Sequence, residues 1–463
     1  MRLQSPWTPH LAPIDAPASE RLIKALSDDI LEGRLETGAR LPAHRDLAWT
    51  LGIGVGTVSK AYAVLDRRGL TRSVKGRGTF VTARQARQGP IIDLSINTPP
   101  AMVSERLLAR TLSEMAKRAD PHLFMLYPPP VGHLEHRRLM ARWLETLGME
   151  TDPSHLVLTG GAQHALWLAF SLTCRDGGTI YTERLTYPGA ISLANYAGYR
   201  LRGVEIDALG LVPEALDRAL ADGRAREAGG AVYVTPTMHN PTTSTMSLAR
   251  RRAVVEICRR HDVAIIEDDV YAFAADTGLP PLAMLAPERT LYVNSLSKTL
   301  SPGLRIGALV VPPGLLDGVE AAVRAVPSMA SALSCAVMEA WLTNGAAASV
   351  RGSIRAEAAR RRGLAASFLG ASMVQPSHDG FHVWLPMARD RADRFVQAAA
   401  GVGVIVTHPD TCAAAADDHA SGVRVCLGGP SLSALTEGLG ALAAICRSDR
   451  DAPAAHPIHT PVT

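Results

Sequence analysis

The hydrophobic residues near the start of the chain follow two different periods. Leu22, Ile23, Leu26 and Ile30 recur at helical spacing and predict an amphipathic helix over residues 19–31. Similar patterns predict two further helices and then two short strands, over residues 43–51, 56–68, 70–73 and 79–81. Glycines separate these elements, and a glycine-rich tip joins the two strands. Three short helices followed by a hairpin make a winged helix-turn-helix, a module that binds DNA.

Short apolar runs alternate with helical patterns over the remainder of the chain. The strand-like runs cover residues 156–158, 179–181, 231–234, 263–266, 290–293 and 306–311. Helical patterns lie between them, for example over residues 162–173 and 248–261. Buried strands that alternate with helices predict an α/β fold in which the sheet is mostly parallel. A smaller α+β part is expected over residues 330–447.

A polar stretch, Thr82–Pro90, separates the two patterns and holds no apolar residue larger than alanine, as is typical of a short linker. The segment after residue 447 is rich in Pro, Ala, Asp and His, a composition that predicts disorder. We therefore predict a DNA-binding domain, a linker, a large body and a disordered tail, over residues 15–82, 83–90, 91–447 and 448–463.

Charge is distributed unevenly along the 463 residues. Residues 21–90 carry 13 Lys and Arg against 6 Asp and Glu, a net charge of +7, whereas the whole chain carries +4. A basic end on a nearly neutral body indicates an anionic partner, and double-stranded DNA is the first candidate. With 47% apolar and 20% charged residues, the composition is that of a well-packed protein and excludes a largely disordered one.

Neither the apolar runs nor the cysteines indicate a membrane or a metal. No run reaches the roughly 18 apolar residues of a membrane span, and the N-terminus lacks the apolar core of a signal peptide. The 6 cysteines are scattered without C-x-x-C spacing, so reduced and mostly buried thiols are expected. We therefore predict a cytoplasmic protein with no membrane partner and no metal site.

The basic module resembles the GntR superfamily of bacterial repressors. The resemblance is carried by Gly38–Pro42, Arg45–Ala48, Leu51–Gly52, Thr57–Val58, Ala61–Tyr62, Leu65, Gly69 and Gly76–Val81. It implies a recognition helix in the major groove and a wing along the DNA backbone or minor groove. The candidate DNA contacts are Arg45, Thr57, Ser59, Lys60, Lys75 and Arg77. Gly54 and Val55 stand where this superfamily usually has Ser or Thr and then Arg, so the operator sequence stays open.

Lys298 lies in the stretch Ser295–Arg305, which follows a predicted strand. A lysine amine forms a Schiff base with an aldehyde cofactor, while nearby hydroxyls and an arginine hold a phosphate. Gly160–Gly161 opens a helix, whose N-terminus attracts phosphate, and Asp268 ends another strand. This set meets the needs of pyridoxal phosphate, which takes a lysine, an anion for its ring nitrogen, donors for its phenolic oxygen and a phosphate cradle.

In their order, these motifs resemble the fold-type I, class I aminotransferases over about residues 91–447. The resemblance implies that Lys298 forms the Schiff base, that Asp268 pairs with the ring nitrogen and that Tyr187 stacks on the ring. It also implies that Asn240 and Tyr271 donate to the phenolic oxygen. The implied phosphate cradle consists of Gly161, Ala162, Ser295, Ser297 and Arg305. Tyr127 matches a segment that reaches a partner subunit's phosphate, and Arg424 matches the arginine that clamps a substrate α-carboxylate.

A GntR-type winged helix followed by an aminotransferase-like body resembles the MocR subfamily of transcription regulators. The resemblance implies a head-to-tail homodimer that binds DNA and pyridoxal phosphate. It also implies that an amine or amino-acid effector, or pyridoxal phosphate itself, is sensed through Lys298. The alternative is an active class I aminotransferase with an autoregulatory DNA-binding domain, because every catalytic group is present. A regulator without a cofactor is disfavoured by the intact set around Lys298.

Overall fold

The computed structural model of the protein describes residues 7, 17–31, 34–35, 38–67, 70–74, 78–81, 91–118, 125–174, 177–221, 229–274, 278–325, 329–376, 378–415 and 421–450. The chain divides mainly into a small compact unit that ends at Ile91 and a large one that begins at Ile92. Each unit has its own apolar core. Within the described part of the chain, no helix combines the length and the apolar character needed to cross a bilayer.

Three helices and an antiparallel hairpin form the small unit, in the predicted order. The elements are α1 (Ala18–Leu31), α2 (His44–Leu51), α3 (Val55–Arg67), β1 (Thr71–Val74) and β2 (Gly78–Val81). Each boundary lies within one residue of the predicted one. Gly52 ends α2 in the left-handed conformation, with φ of 64°, which glycine adopts without strain.

The apolar residues that recur at helical spacing in the sequence form the core of the small unit. Leu22 and Leu26 of α1 and Val58 and Leu65 of α3 are fully buried against one another. Several predicted features lie outside the described residues, namely the wing tip with Lys75 and Arg77, linker residues 83–90 and residues 451–463 of the tail.

The large unit alternates helices with strands, as the apolar pattern predicted. Its described helices are α4 (Glu105–Arg118), α5 (Leu134–Glu145), α6 (Ala162–Thr173), α7 (Pro188–Ala197), α8 (Pro213–Ala221), α9 (Leu248–His261), α10 (Leu282–Leu285), α11 (Leu296–Thr299), α12 (Leu316–Ala325), α13 (Ala332–Thr343), α14 (Ala346–Leu369), α15 (Arg389–Gly401) and α16 (Leu432–Arg450). Its described strands are β3 (Ile92–Asp93), β4 (Leu156–Thr159), β5 (Thr179–Glu183), β6 (Arg200–Val204), β7 (Ile206–Asp207), β8 (Gly210–Leu211), β9 (Gly230–Val234), β10 (Ala264–Asp268), β11 (Thr290–Ser295), β12 (Gly307–Val310), β13 (His382–Pro386), β14 (Val404–Ile405) and β15 (Gly422–Cys426).

A seven-stranded sheet in the order β4-β12-β11-β10-β9-β5-β6 forms the centre of the large unit. Strands β11, β10, β9, β5 and β6 pair in parallel, and β12 is antiparallel to both of its neighbours. The expectation of a mostly parallel sheet is therefore confirmed. Strand β6 was not predicted, because Arg200–Val204 is an edge strand with polar, partly exposed residues and no continuous apolar run.

The C-terminal part of the large unit is α+β, as expected. Strands β13 and β15 pair antiparallel, and β14 pairs in parallel with β3, which follows the linker in sequence. The tail was predicted to begin at residue 448, but α16 continues to Arg450, so its first three residues are helical. The reason is that the buried stripe of α16, which includes Leu439 and Leu442, extends to Cys446, and the helix ends about one turn later.

Truncation of the buried face of α1 tests this packing. We expect Leu26→Ala to destabilise the small unit by about 2–5 kcal/mol, since it removes a fully buried side chain and leaves a cavity. Amide hydrogen exchange of α1 to α3 in the full chain measures the change. Trp49→Ala is the control, because this larger side chain is 89% exposed and its loss should change the stability by no more than about 0.5 kcal/mol. Equal effects of the two substitutions would contradict the packing described.

Candidate functional site

Polar side chains converge beyond the carboxyl ends of strands β9, β10 and β11, the edge at which α/β sheets bind ligands. The pocket there is lined by Ala162, Gln163, Tyr187, Thr235, Asn240, Asp268, Val270, Tyr271, Ser295, Ser297, Lys298, Pro302 and Arg305. Most of these residues are candidates from the sequence. Gln163, Thr235, Val270 and Pro302 were not singled out, although each lies in or next to a motif or strand that was.

Lys298 lies in the short helix α11, directly after β11. The Ser295 hydroxyl begins this turn, because it accepts the Ser297 backbone N–H at 3.1 Å and donates to the Ser297 hydroxyl at 2.9 Å. Lys298 Nζ donates to the Asn97 carbonyl oxygen. Desolvation lowers the pKa of Lys298 to about 8. Its amine is therefore neutral more often near pH 7 than that of a surface lysine, and a neutral amine is a nucleophile.

Asp268 ends β10 and is buried. Its Oδ2 accepts a hydrogen bond from the Tyr233 hydroxyl at 2.9 Å. Its Oδ1 is buried and has no hydrogen-bond partner among the described residues. Burial raises the pKa of Asp268 to about 6. A buried carboxyl with one free oxygen is suited to a cationic N–H donor, which would restore its charged form.

A cradle for an anion forms where β4 turns into α6. Gly161 precedes this helix with φ of 102°, a conformation that favours glycine. A Cβ atom at Gly307 would lie 2.7 Å from the carbonyl carbon of Gly161, so the two backbones approach closely. Arg305 Nη2 donates to the Gly160 carbonyl oxygen at 3.2 Å. The helix N-terminus and the guanidinium group thus present positive charge to the same end of the pocket.

Arg424 reaches this region from β15 of the C-terminal part. Its guanidinium is buried, with Nη1 donating to Asn240 Oδ1 at 2.7 Å and Nη2 donating to the Ser95 carbonyl oxygen at 3.1 Å. It forms no ion pair with an Asp or Glu of the described residues. A buried guanidinium without a counter-ion is suited to a ligand carboxylate, because the ligand supplies the missing charge.

Two tyrosines predicted from the sequence also line the pocket. The Tyr271 hydroxyl donates to Asn97 Oδ1 at 3.0 Å. Tyr187 lies at the start of α7, and Gly189 in the same helix leaves room for its ring, since a Cβ atom there would collide with it. Burial raises the pKa of both tyrosines, so both hydroxyls stay protonated and can donate.

Tyr127 is not part of the pocket in a single chain. Its side chain is 93% exposed, as are large parts of Met125 and Leu126 beside it. The expected contact between Tyr127 and a partner subunit's phosphate therefore stays a prediction.

The candidate DNA contacts differ in their surroundings. Arg45 and Lys60 are exposed on α2 and α3, and Thr57 is half-buried in the first turn of α3. The Ser59 hydroxyl lies 2.9 Å from His44 Nδ1, so it already has a partner within the module. Arg45, Thr57 and Lys60 thus offer accessible polar groups, whereas Ser59 also joins α2 to α3.

Sequence reasoning missed Ser95, Asn97 and Tyr233. Tyr233 lies within an apolar strand, where nothing in the sequence distinguishes it from a core residue. Asn97 is 201 positions away from Lys298, so no local pattern connects the two residues. The available signal was weak: two polar residues, Ser95 and Asn97, alternate with apolar ones just after the linker.

Two family models match the sequence. The model for aminotransferase class I and II matches residues 89–442, and the model for bacterial regulatory proteins of the gntR family matches residues 18–81. Among solved structures, an archaeal alanine:glyoxylate aminotransferase is similar, with a TM-score of 0.71 and 23% identity over 85% of this chain and 95% of that one. That likeness shows the fold of the large unit.

Three regulators are similar along most of their length. The HTH-type transcriptional regulator TauR of Rhodobacter capsulatus is 30% identical, over 65% of this chain and 69% of its own. The probable rhizopine catabolism regulatory protein MocR of Rhizobium meliloti is 28% identical, over 72% and 73%. The vitamin B6 salvage pathway transcriptional repressor PtsJ of Salmonella typhimurium is 28% identical, over 84% and 90%. The chain therefore belongs to the MocR subfamily of GntR transcription regulators, in which a DNA-binding winged helix-turn-helix precedes an aminotransferase-like domain.

Proposed function

We propose that this regulator binds pyridoxal phosphate and senses an amine or amino-acid effector, or pyridoxal phosphate itself, through Lys298. The observation that carries the proposal is one pocket in which a lysine of lowered pKa, a buried carboxyl with a free oxygen and an anion cradle meet. The same chain carries a DNA-binding module of the gntR family over residues 18–81.

The pocket fits the chemical groups of pyridoxal phosphate. The free, buried Oδ1 of Asp268 would accept a protonated ring nitrogen, and the cradle at Gly161 and Arg305 would bind the phosphate. When bound, this cofactor supplies an aldehyde for a primary amine and a ring that withdraws electrons. The residues that would hold it are Gly161, Ala162, Tyr187, Asn240, Asp268, Tyr271, Ser295, Ser297, Lys298 and Arg305.

The chemistry around Arg424 favours an effector that carries a carboxylate beside its amine. The Lys298 amine and the Arg424 guanidinium both contact one short stretch, Ser95–Asn97, so a single small molecule would span them. A bidentate carboxylate would balance the buried charge of Arg424. If the effector binds two states of the large unit with different affinity, it shifts their populations and thereby the affinity for DNA.

DNA, a homodimer and a cytoplasmic location belong to the same proposal. The apolar residues Leu108, Leu112, Met125 and Leu126 are exposed on the large unit, which favours an interface with a second copy. The head-to-tail arrangement of that dimer rests on the family resemblance alone. The cysteines are free and buried, as suits a reducing compartment. The name of PtsJ links one relative to vitamin B6, which favours pyridoxal phosphate itself as one possible signal.

An active class I aminotransferase with an autoregulatory DNA-binding domain is the second candidate, because the sequence contains every side chain to which the resemblance assigns a catalytic role. The two functions differ in turnover. Full-length protein is incubated with amino donors and an oxoacid, and its DNA binding is measured in parallel. Sustained turnover at ordinary enzyme rates without DNA binding would overturn the proposal that the protein acts as a regulator.

Substitution of the lysine tests the cofactor directly. Wild-type protein with pyridoxal phosphate should absorb in the visible range, and Lys298→Ala should not, because the amine that takes up the aldehyde is gone. The rate of uptake should rise with pH through about 8, as the amine loses its proton. Lys117→Ala, a substitution in α4, is the control and should keep the wild-type spectrum. A wild-type spectrum in Lys298→Ala would refute the role of this lysine.

The raised pKa of Asp268 predicts a pH-dependent stability. The charged carboxyl is less favourable in the folded than in the unfolded chain, so its contribution is fully present below about pH 4 and is lost as the pH rises through about 6. We therefore expect cofactor-free Asp268→Asn to gain about 3 kcal/mol relative to wild type between these limits. Denaturant unfolding of the large unit at each pH measures it. Parallel pH profiles of the two proteins would contradict the assignment.

A matched pair of lysine substitutions tests the DNA face. On an operator obtained by in vitro selection, Lys60→Ala should weaken binding at every sequence and reduce the salt slope by about one, since one phosphate contact is lost. Lys24→Ala removes the same charge from α1, where Lys24 pairs with Asp28 at 2.9 Å, and should leave the slope unchanged. The predicted contact between Lys60 and a DNA phosphate is wrong if Lys60→Ala and Lys24→Ala show the same salt dependence of binding.

A further inference from the structure

One short segment connects the linker to the pocket. The connecting segment, Ile92–Thr98, directly follows the linker in sequence and begins with β3. Its start is held by pairing of β3 with β14, and the Leu94 N–H donates to the Ile405 carbonyl oxygen at 2.7 Å. Its end packs against Gly428, where a Cβ atom would collide with the Thr98 carbonyl group. The segment is therefore anchored on both sides of its middle.

The middle of the connecting segment contacts the functional groups of the pocket. The Ser95 carbonyl oxygen accepts Arg424 Nη2 at 3.1 Å, and the Asn97 carbonyl oxygen accepts Lys298 Nζ. The Asn97 side chain accepts the Tyr271 hydroxyl at 3.0 Å. These three donors come from three separate parts of the fold, namely α11, β15 and the loop after β10. No other stretch of similar length among the described residues bonds all three.

We propose that the connecting segment is the element through which occupancy of the pocket reaches the linker and the DNA-binding module. The inference rests on the proposed function, because the same Lys298 and Arg424 that would bind the effector hold the segment. An aldehyde that takes up the lysine amine, or a carboxylate that takes up the guanidinium, competes with the Asn97 and Ser95 carbonyl oxygens for these donors. Binding thereby weakens the hold on the middle of the segment, where the Ser95 carbonyl oxygen keeps two further donors, the Thr407 hydroxyl at 3.2 Å and the Cys426 thiol at 3.4 Å.

The turn at Ser95 gives a way to alter the segment without touching the pocket. Asp93 Oδ1 accepts the Ser95 backbone N–H at 2.8 Å and the Ser95 hydroxyl at 2.6 Å, which fixes where the Ser95 carbonyl group lies. The same Asp-x-Ser turn occurs at Asp152, whose Oδ1 accepts the Ser154 N–H at 2.7 Å. Asp152 is exposed, and its turn makes none of the bonds to Arg424 or Lys298 described above. It therefore offers a matched control.

Hydrogen exchange of the full-length protein tests the release. Two probes are used, N-(5'-phosphopyridoxyl)-L-alanine and the corresponding ethylamine adduct, which differ only in the carboxylate. With the carboxylate probe, exchange of the Ser95 and Thr98 amides, which donate to Asp93 Oδ1 and to the Ile96 carbonyl oxygen, should rise roughly fivefold, the factor of one ordinary hydrogen bond. The ethylamine probe should leave this exchange unchanged, because it has neither an aldehyde for the Lys298 amine nor a carboxylate for the Arg424 guanidinium. Unchanged exchange with both bound probes would overturn the proposal.

The Asp93→Ala variant provides a second, independent measurement. By linkage, a change that loosens the segment lowers the cost of releasing it, so this variant should bind the carboxylate probe more tightly, by up to roughly fivefold. Asp152→Ala should bind it like wild type. If Asp93 has only a structural role, Asp93→Ala should bind the probe more weakly than wild type or equally well. Either result would overturn the proposed coupling.

The two proposals fail in different ways. If wild-type protein takes up neither pyridoxal phosphate nor the probes, as judged from absorbance, the proposed function fails and the coupling fails with it. If the probes bind but the segment does not respond and Asp93→Ala gains no affinity, only the coupling fails. Tryptic cleavage after Arg84 and Arg87 in the linker adds a direct readout, and it should change with the carboxylate probe in wild type and less in Asp93→Ala.

Discussion

The exclusion of water from the ends of two adjacent parallel strands is the constraint on which the pocket depends. Strand β10 ends at Asp268 and β11 leads into Lys298, so a carboxyl and an amine lie in a region of low polarity. Burial shifts the pKa of each toward its neutral form, to about 6 and about 8. Both shifts disfavour the ordinary charged forms of the two groups, a pattern that is frequent at functional sites.

The same reasoning extends to Arg424. A buried guanidinium cannot lose its proton, so it holds backbone and side-chain oxygens in place of an anion. The acceptor of Lys298 and one of the acceptors of Arg424 lie together in one segment next to the linker. Under the proposed function, a ligand that took up either donor would rearrange these contacts.

Much of this organisation could be predicted from the sequence. Each helix of the small unit follows a periodic apolar stripe, and the buried strands of the large sheet are continuous apolar runs between turn residues. Lys298 and Asp268 were singled out because they lie at or just after the ends of strands, within recognisable motifs. Strand β6 was not predicted, since an edge strand needs no continuous apolar run. The end of α16 was placed too early, because the polar composition of the tail was given more weight than the buried apolar stripe of the helix, which extends to Cys446.

Local pattern and chemistry in the sequence determined the two-part organisation, the fold class and the residue types of the pocket, because these depend on neighbours along the chain. Only the tertiary structure decided the contacts made by Asn97 and Ser95, and the pairing of Tyr233 with Asp268. Those bonds join residues up to 329 positions apart. The positions of Ser95 and Asn97 follow from how β3, β14 and β15 pack, and that of Asp268 from the pairing of β9 with β10. Geometry of that kind arises from the packing of the whole unit, which no local pattern encodes.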